Sequence, residues 1–251
     1  MSASKPVTQA IILHLKDGVN LENVASGSGT AVEAFVQLAN TVKARPGFIR
    51  QFWGHQVEVP TVFVWYIDWE SMENFTAWAN SEAHKTFEAG MGQVFDLEKA
   101  APIMMFTRFT SDAYAAIVAP VTEVAFFTAP KSVREEAKVL VEEEDPETSK
   151  TMLYVTTVGK STGGAIGFVF HEENTSKAVP EGHSMALHGV FGYPTVEHHR
   201  KWRETPEYAE IIQDNEDSAL SKLGLDNAIL PGGNIFVPDS SMFHVKFQVG
   251  M

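Results

Sequence analysis

The stretch Trp53–Glu88, WGHQVEVPTVFVWYIDWESMENFTAWANSEAHKTFE, decides the fold. Its apolar run Val62–Ile67 reads as a strand that passes through Asp68-Trp69-Glu70-Ser71 into an amphipathic helix, Glu70–Phe87. Ser71 is the expected N-cap, with Glu70 and Glu73 near the positive end of the helix dipole. Phe75, Trp78 and Phe87, with Ala79 and Ala83, fall on one helical face. His84 follows Trp78 by nearly two turns and shares that face. A strand feeding a helix that carries stacked aromatics and one imidazole is where chemistry is expected.

Working outward, Val7–Lys16 alternates as a strand, with Gln9 on the face of Val7, Ile11 and Leu13. Thr30 is the expected cap of a helix that stops at Arg45-Pro46-Gly47. Phe48–Trp53 is a second strand and Ile103–Thr110 a fourth. The order β-α-β-β-α-β is the ferredoxin-like split unit. The pattern then restarts with strand Val121–Thr128, helix Lys131–Glu143, strand Thr151–Val158 with Ile166–Phe170 as an extension of that region, strand Ser184–Phe191, helix Thr195–Asn215 and strand Met242–Val249. Asp68-Trp69-Glu70-Ser71 corresponds to Gly192-Tyr193-Pro194-Thr195, Glu73 to Glu197, Trp78 to Trp202 and His84 to Tyr208, at one constant offset. The reading is α+β: two tandem ferredoxin-like repeats, 1–115 and 116–251, joined at Ala113–Pro120. Gly159–Gly182 and Leu230–Ser241 read as irregular insertions, either lids or solvated loops.

The 251 residues suffice for one large or two ordinary domains. A formal charge of -13 argues against binding a nucleic-acid backbone. Apolar runs fall short of the roughly 20 residues of a membrane helix. The N-terminus MSASKPVTQ has no signal-peptide core, so a cytoplasmic protein is expected. The absence of cysteine excludes disulfides, thiolate metal sites and cysteine nucleophiles. No histidine spacing suits a metal: His198 and His199 are adjacent, and His183 and His188 face opposite sides of a strand. His171, Glu172 and Glu173 would bind an ion only if their loop closed.

Arg45–Phe48, Phe52–Gly54, Asp68–Ser71, Trp78 and Ser81–His84 together resemble the dimeric α+β barrel superfamily, in its antibiotic-biosynthesis-monooxygenase-like branch. The resemblance implies that the fused chain builds, as an intrachain pseudo-dimer, a barrel that relatives form from two subunits. Each half would hold a ligand cavity between sheet and helices. Against the cofactor-free quinone-forming monooxygenases, Trp69 matches their strand-end Trp, but Trp65 and Phe75 replace their Asn and Tyr. Against the haem-degrading members, Trp78 matches and Glu88 replaces the iron-ligating His. Against polyketide cyclases, His84 matches, while Trp78 and Gln9 replace a Tyr and a second His.

These matches imply a cofactor-independent enzyme acting on a hydrophobic aromatic or polyketide-like metabolite by cyclisation, isomerisation or another proton transfer. Cofactor-free oxygen insertion and a non-catalytic ligand-binding barrel are the alternatives. His84 is the expected acid–base group, with Gln9 or Tyr66 as hydrogen-bond donor; the alternative is a helix residue with no task. Trp53, Trp65, Trp69, Phe75, Trp78 and Phe87 would line the cavity, or simply pack the core. Trp202 and Tyr208 are the equivalents in the second repeat. The partner is a small hydrophobic molecule, and the pseudo-dimer could pair again as a homodimer.

Overall fold

A computed structural model describes residues 6–143, 159–173, 179, 181–209 and 242–250. The first repeat runs β1 (Val7–His14), α1 (Thr30–Lys43), β2 (Phe48–Gln56), β3 (Val62–Trp69), α2 (Met72–Ala79), α3 (Glu82–Met91) and β4 (Ile103–Phe109). A short helix, α4 (Tyr114–Ile117), occupies the expected linker and packs beneath the barrel floor with Ala116 and Ile117 buried. The second repeat runs β5 (Val121–Pro130), α5 (Arg134–Glu143), β6 (Gly163–Glu173), β7 (His183–Tyr193), α6 (Val196–Arg203) and β8 (Met242–Val249).

All eight strands close into one antiparallel barrel in the order β1-β3-β2-β8-β5-β7-β6-β4. Each repeat contributes its own strands in the order 4-1-3-2. The two seams, β2 against β8 and β4 against β6, each join the second strand of one repeat to the fourth strand of the other and are related by an approximate two-fold. The register preserves this relation. Gln9 lies between Ile67 and Phe106, and Glu123 lies between Phe191 and His244. Closure removes the free strand edges that either repeat would expose by itself.

Strand alternation divides the core. Val64, Tyr66, Val124, Phe126, Val190 and Val245 fill the barrel interior. Trp53, Trp65, Trp69 and Phe106 face outward and are covered by the first repeat's helices. Two glycines are required by geometry. Gly47 turns the chain out of α1 at φ +77°, against Asn74. Gly54 lies on the β2–β8 seam, where a Cβ would come within 2.2 Å of the Lys246 carbonyl oxygen.

Several expectations are corrected. The cap of α1 is Gly29, not Thr30, and it makes no side-chain hydrogen bond. The helix Glu70–Phe87 is two helices, because Ser81 forms a second N-cap by accepting a hydrogen bond from the His84 backbone N–H. The expected insertion Gly159–Gly182 contains β6, the second repeat's counterpart of β2. Its Gly-rich start obscured the alternation that its pairing with β4 and β7 imposes. The expected strand Thr151–Val158, the end of the helix Thr195–Asn215 and the segment Leu230–Ser241 lie outside the described residues. Among the described residues, no helix is long and apolar enough to cross a membrane.

Candidate functional site

The six aromatics singled out in the first repeat lie together on the helix side of the sheet. Trp69 stacks on Trp78 at 5.3 Å, Phe75 meets Trp78 edge-on at 6.1 Å, and Trp65 lies 5.9 Å from Phe87. Phe35 of α1 wedges between Trp53 and Trp65 at 5.0 and 5.1 Å. These rings pack mainly against one another. Gln9 is fully engaged, its Oε1 accepting from Trp69 Nε1 at 3.1 Å and its Nε2 directed at Met104 Sδ. His84 sits at the rim, edge-on to Trp78 at 4.6 Å, with Nδ1 3.7 Å from the Glu88 carboxylate.

Tyr66 is separated from Gln9 and His84 by the thickness of the sheet. It points into the barrel, where its hydroxyl lies 2.7 Å from His188 Nε2, and His188 Nδ1 lies 3.0 Å from Thr107 Oγ1. Burial pulls His188 down to about 3, so the ring is neutral and ties three strands together. Of the two expected donors, Tyr66 therefore cannot share a ligand with His84, and Gln9, on the His84 side, already spends its amide on Trp69 and Met104.

The polar groups converge in the second repeat instead. At the positions equivalent to Gln9, Phe106 and Phe75, this half carries Glu123, His244 and His199. The Glu123 carboxylate, on β5, is 3.2 Å from His199 Nε2, on α6. His199 Nδ1 is 2.8 Å from His244 Nε2, on β8. His244 Nδ1 is 2.5 Å from Glu58 Oε1, and its backbone N–H donates to Glu58 Oε2 at 3.0 Å. Glu58 belongs to the β2–β3 hairpin of the other repeat, which reaches across the seam. Tyr193 stacks on His199 at 4.6 Å, and Trp202 meets Tyr208 edge-on at 5.0 Å, so the two residues expected here by analogy form the aromatic wall.

Burial sets the electrostatics. It pushes the Glu123 carboxyl up to about 7, against the pull of His244 and Arg203. It brings His199 down to about 3, helped by His244 and Arg203. Burial also raises the Glu58 carboxyl, but the hydrogen bonds from His244 outweigh it and leave that group below its ordinary value. Burial and the Glu123 charge together hold the Tyr193 phenol well above its usual range. The Tyr193 hydroxyl and the Trp202 indole N–H are buried without a hydrogen-bond partner of good geometry among the described residues, although Glu123 is near enough to couple to that hydroxyl. Leaving a buried donor unmatched costs about 1–3 kcal/mol, and a ligand carrying an acceptor would remove that cost.

Sequence reading missed Glu58, Glu123 and His244, and weighed His199 only as a metal ligand beside His198. A charged residue on the buried face of β5 was the available signal. Its partners lie on three other elements, and Glu58 and His244 are 186 positions apart.

The family model for antibiotic biosynthesis monooxygenase matches residues 23–90, from ahead of α1 into the last turn of α3. Over those residues the first repeat is similar to an antibiotic biosynthesis monooxygenase domain. Protein SchA of Streptomyces halstedii is 32% identical over 78 residues, which are 31% of this chain and 18% of SchA. The chain thus spans under a fifth of that relative's length. The crystal structure of an anthrone oxidase-like protein superposes with a TM-score of 0.59 at 11% identity, covering 99% of this chain and 93% of the other. At that identity the likeness is one of fold, and it extends over both repeats of this antibiotic-biosynthesis-monooxygenase-like barrel.

Proposed function

We propose that the chain is a cofactor-independent enzyme that removes a proton from a hydrophobic aromatic or polyketide-like small molecule, with Glu123 as the base. The observation that carries the reading is the Glu123–His199–His244 cluster, buried beneath the Tyr193, Trp202 and Tyr208 rings. A general acid–base group works best when its pKa lies near the operating pH, and Glu123 is at about 7. The aromatic wall suits a flat ligand. As the acidic C–H or phenolic O–H loses its proton, charge moves to the substrate oxygen. The unmatched Tyr193 hydroxyl and Trp202 N–H are the donors available to receive it. Attack of the carbanion or enolate on a carbonyl of the same substrate, with a proton returned to the resulting alkoxide, gives cyclisation; return of a proton to a different carbon gives isomerisation.

The antibiotic biosynthesis monooxygenase match favours a second outcome from the same first step. The carbanion passes its electrons to dioxygen, and a methylene becomes a carbonyl with loss of water. Anthrone, whose methylene is acidified by two rings and a carbonyl, serves as a probe for both outcomes. Wild-type protein is expected to accelerate exchange of its methylene hydrogens with deuterated water, and Glu123→Gln to lower that rate by about 10²-fold or more. Oxygen uptake with anthraquinone formation identifies the monooxygenase, and exchange without uptake identifies the proton-transfer enzyme. His84→Ala is expected to keep the rate; losing it there while Glu123→Gln stays active would move the site to the first repeat. Binding of anthrone with neither exchange nor uptake would leave a ligand-binding barrel.

A further inference from the structure

The cluster holds one carboxylate more than a single base requires, and that carboxylate comes from the other repeat. We infer that Glu123, His199, His244 and Glu58 form a proton wire that carries the proton taken up in the second chamber out to the β2–β3 hairpin of the first. The inference rests on Glu123 being the base proposed above.

The geometry fixes how protons can be placed. Three short contacts link the four groups end to end, each imidazole offering one nitrogen to either side. Each contact needs one hydrogen. Two neutral imidazoles supply one apiece, so the third must sit on a carboxyl at one end. With Glu123 protonated, its hydroxyl donates to His199 Nε2, His199 Nδ1–H donates to His244 Nε2, and His244 Nδ1–H donates to Glu58. Shifting every hydrogen one place along gives the mirror arrangement. Glu58 is then the acid, Glu123 is the free carboxylate, and each ring keeps one proton on its other nitrogen. No imidazolium forms in either state, which agrees with a His199 ring held neutral by burial. With the shared proton gone, the two imidazole hydrogens cover two of the three contacts, and the bare Glu123 carboxylate is the state that takes a proton from the substrate.

The ends of the wire differ as an outlet requires. Glu123 has a side-chain exposure of 5%, while that of Glu58 is 16%. Glu58 is also the stronger acid, so a proton arriving there passes on to water and restores the starting state. The other groups acting on the wire are Tyr193, Arg203 and Tyr208 at Glu123, and Arg200, Arg203 and His198 at His199. The Arg200 and Arg203 charges favour a neutral His199. The first repeat offers no such route, since Gln9, Phe106 and Phe75 stand at the matching places. The wire is therefore a property of one chamber only, and it needs both repeats to exist.

Long-range ¹⁵N NMR of the imidazole rings tests this without any substrate. In the wild-type protein His199 is expected to remain neutral while Glu123 titrates near pH 7, changing tautomer from Nδ1–H to Nε2–H. Glu123→Gln should abolish that change. Glu58→Gln should displace it by about a unit or more, as for any coupled pair. His244→Gln, which cuts the wire one link earlier, should displace it too and stands in if the first variant fails to fold. Rings that charge independently, or a His199 transition unmoved when either variant is folded, would overturn the wire. An intact tautomer switch in a protein that does not exchange anthrone would instead overturn Glu123 as the base.

Discussion

Glu123 and Gln9 occupy equivalent positions, and the difference between them carries the functional argument. Gln9 spends its amide on Trp69 and Met104, leaving nothing to titrate. Glu123 is an ionisable group buried in the protein, and that burial raises its proton affinity toward neutral pH. Tyr193→Phe removes an unmatched donor and should leave stability nearly unchanged while lowering anthrone exchange. Equal losses of stability and rate, read by urea unfolding beside the assay, would count against a substrate contact. In the first repeat the aromatics act as core. Trp65→Ala should destabilise the fold by about 3–5 kcal/mol, measured as a shift in the urea midpoint. The aromatic positions were visible in sequence because apolar periodicity marks burial. Whether a buried ring faces a ligand or another ring was not visible, since periodicity does not record what lies opposite.

Elements are where local signals succeeded and failed. Ser71 and Thr195 both cap their helices with side-chain hydrogen bonds at equivalent strand–helix junctions. Ser71→Ala should cost about 1 kcal/mol, seen in thermal or urea unfolding. The break at Asn80-Ser81 escaped notice because apolar spacing continues through it. Strand β6 was visible only as the extension at Ile166–Phe170, because its glycines at 163, 164 and 167 carry loop character, and only the partners on either side hold them extended. Gly167, like Gly54, faces a crossing backbone, with a Cβ there 2.4 Å from the Arg108 carbonyl oxygen. Gly54→Ala and Gly167→Ala should each loosen one seam, with faster amide exchange on β8 and β6 respectively as the readout.

For the whole molecule, the buried titratable groups give opposing pH dependences. His188 and His199 have folded values near 3 against 6.5 when unfolded, so their contribution is complete above 6.5 and is lost as pH falls toward 3. Glu123 has a folded value near 7 against 4.5 when unfolded, so its contribution is complete below 4.5 and is lost as pH rises through 7. Between 4.5 and 6.5 two imidazoles oppose one carboxyl, and acidification should be net destabilising. The urea midpoint is expected to fall over that interval, and His188→Gln to flatten the fall. A midpoint that rises on acidification would show that the carboxyl dominates.

The amino-acid sequence by itself determined the repeated β-α-β-β-α-β order, the aromatic face of each helix and the strand–helix junctions. Those features are written in spacings of a few residues, which local sterics and burial read directly. The tertiary structure decided which repeat holds the polar cluster. Glu58, Glu123, His199 and His244 come from four elements and both repeats, and only closure of the barrel across its two seams brings them within hydrogen-bond distance. No local spacing encodes that meeting, because the strand register that produces it is set by pairing between distant edges.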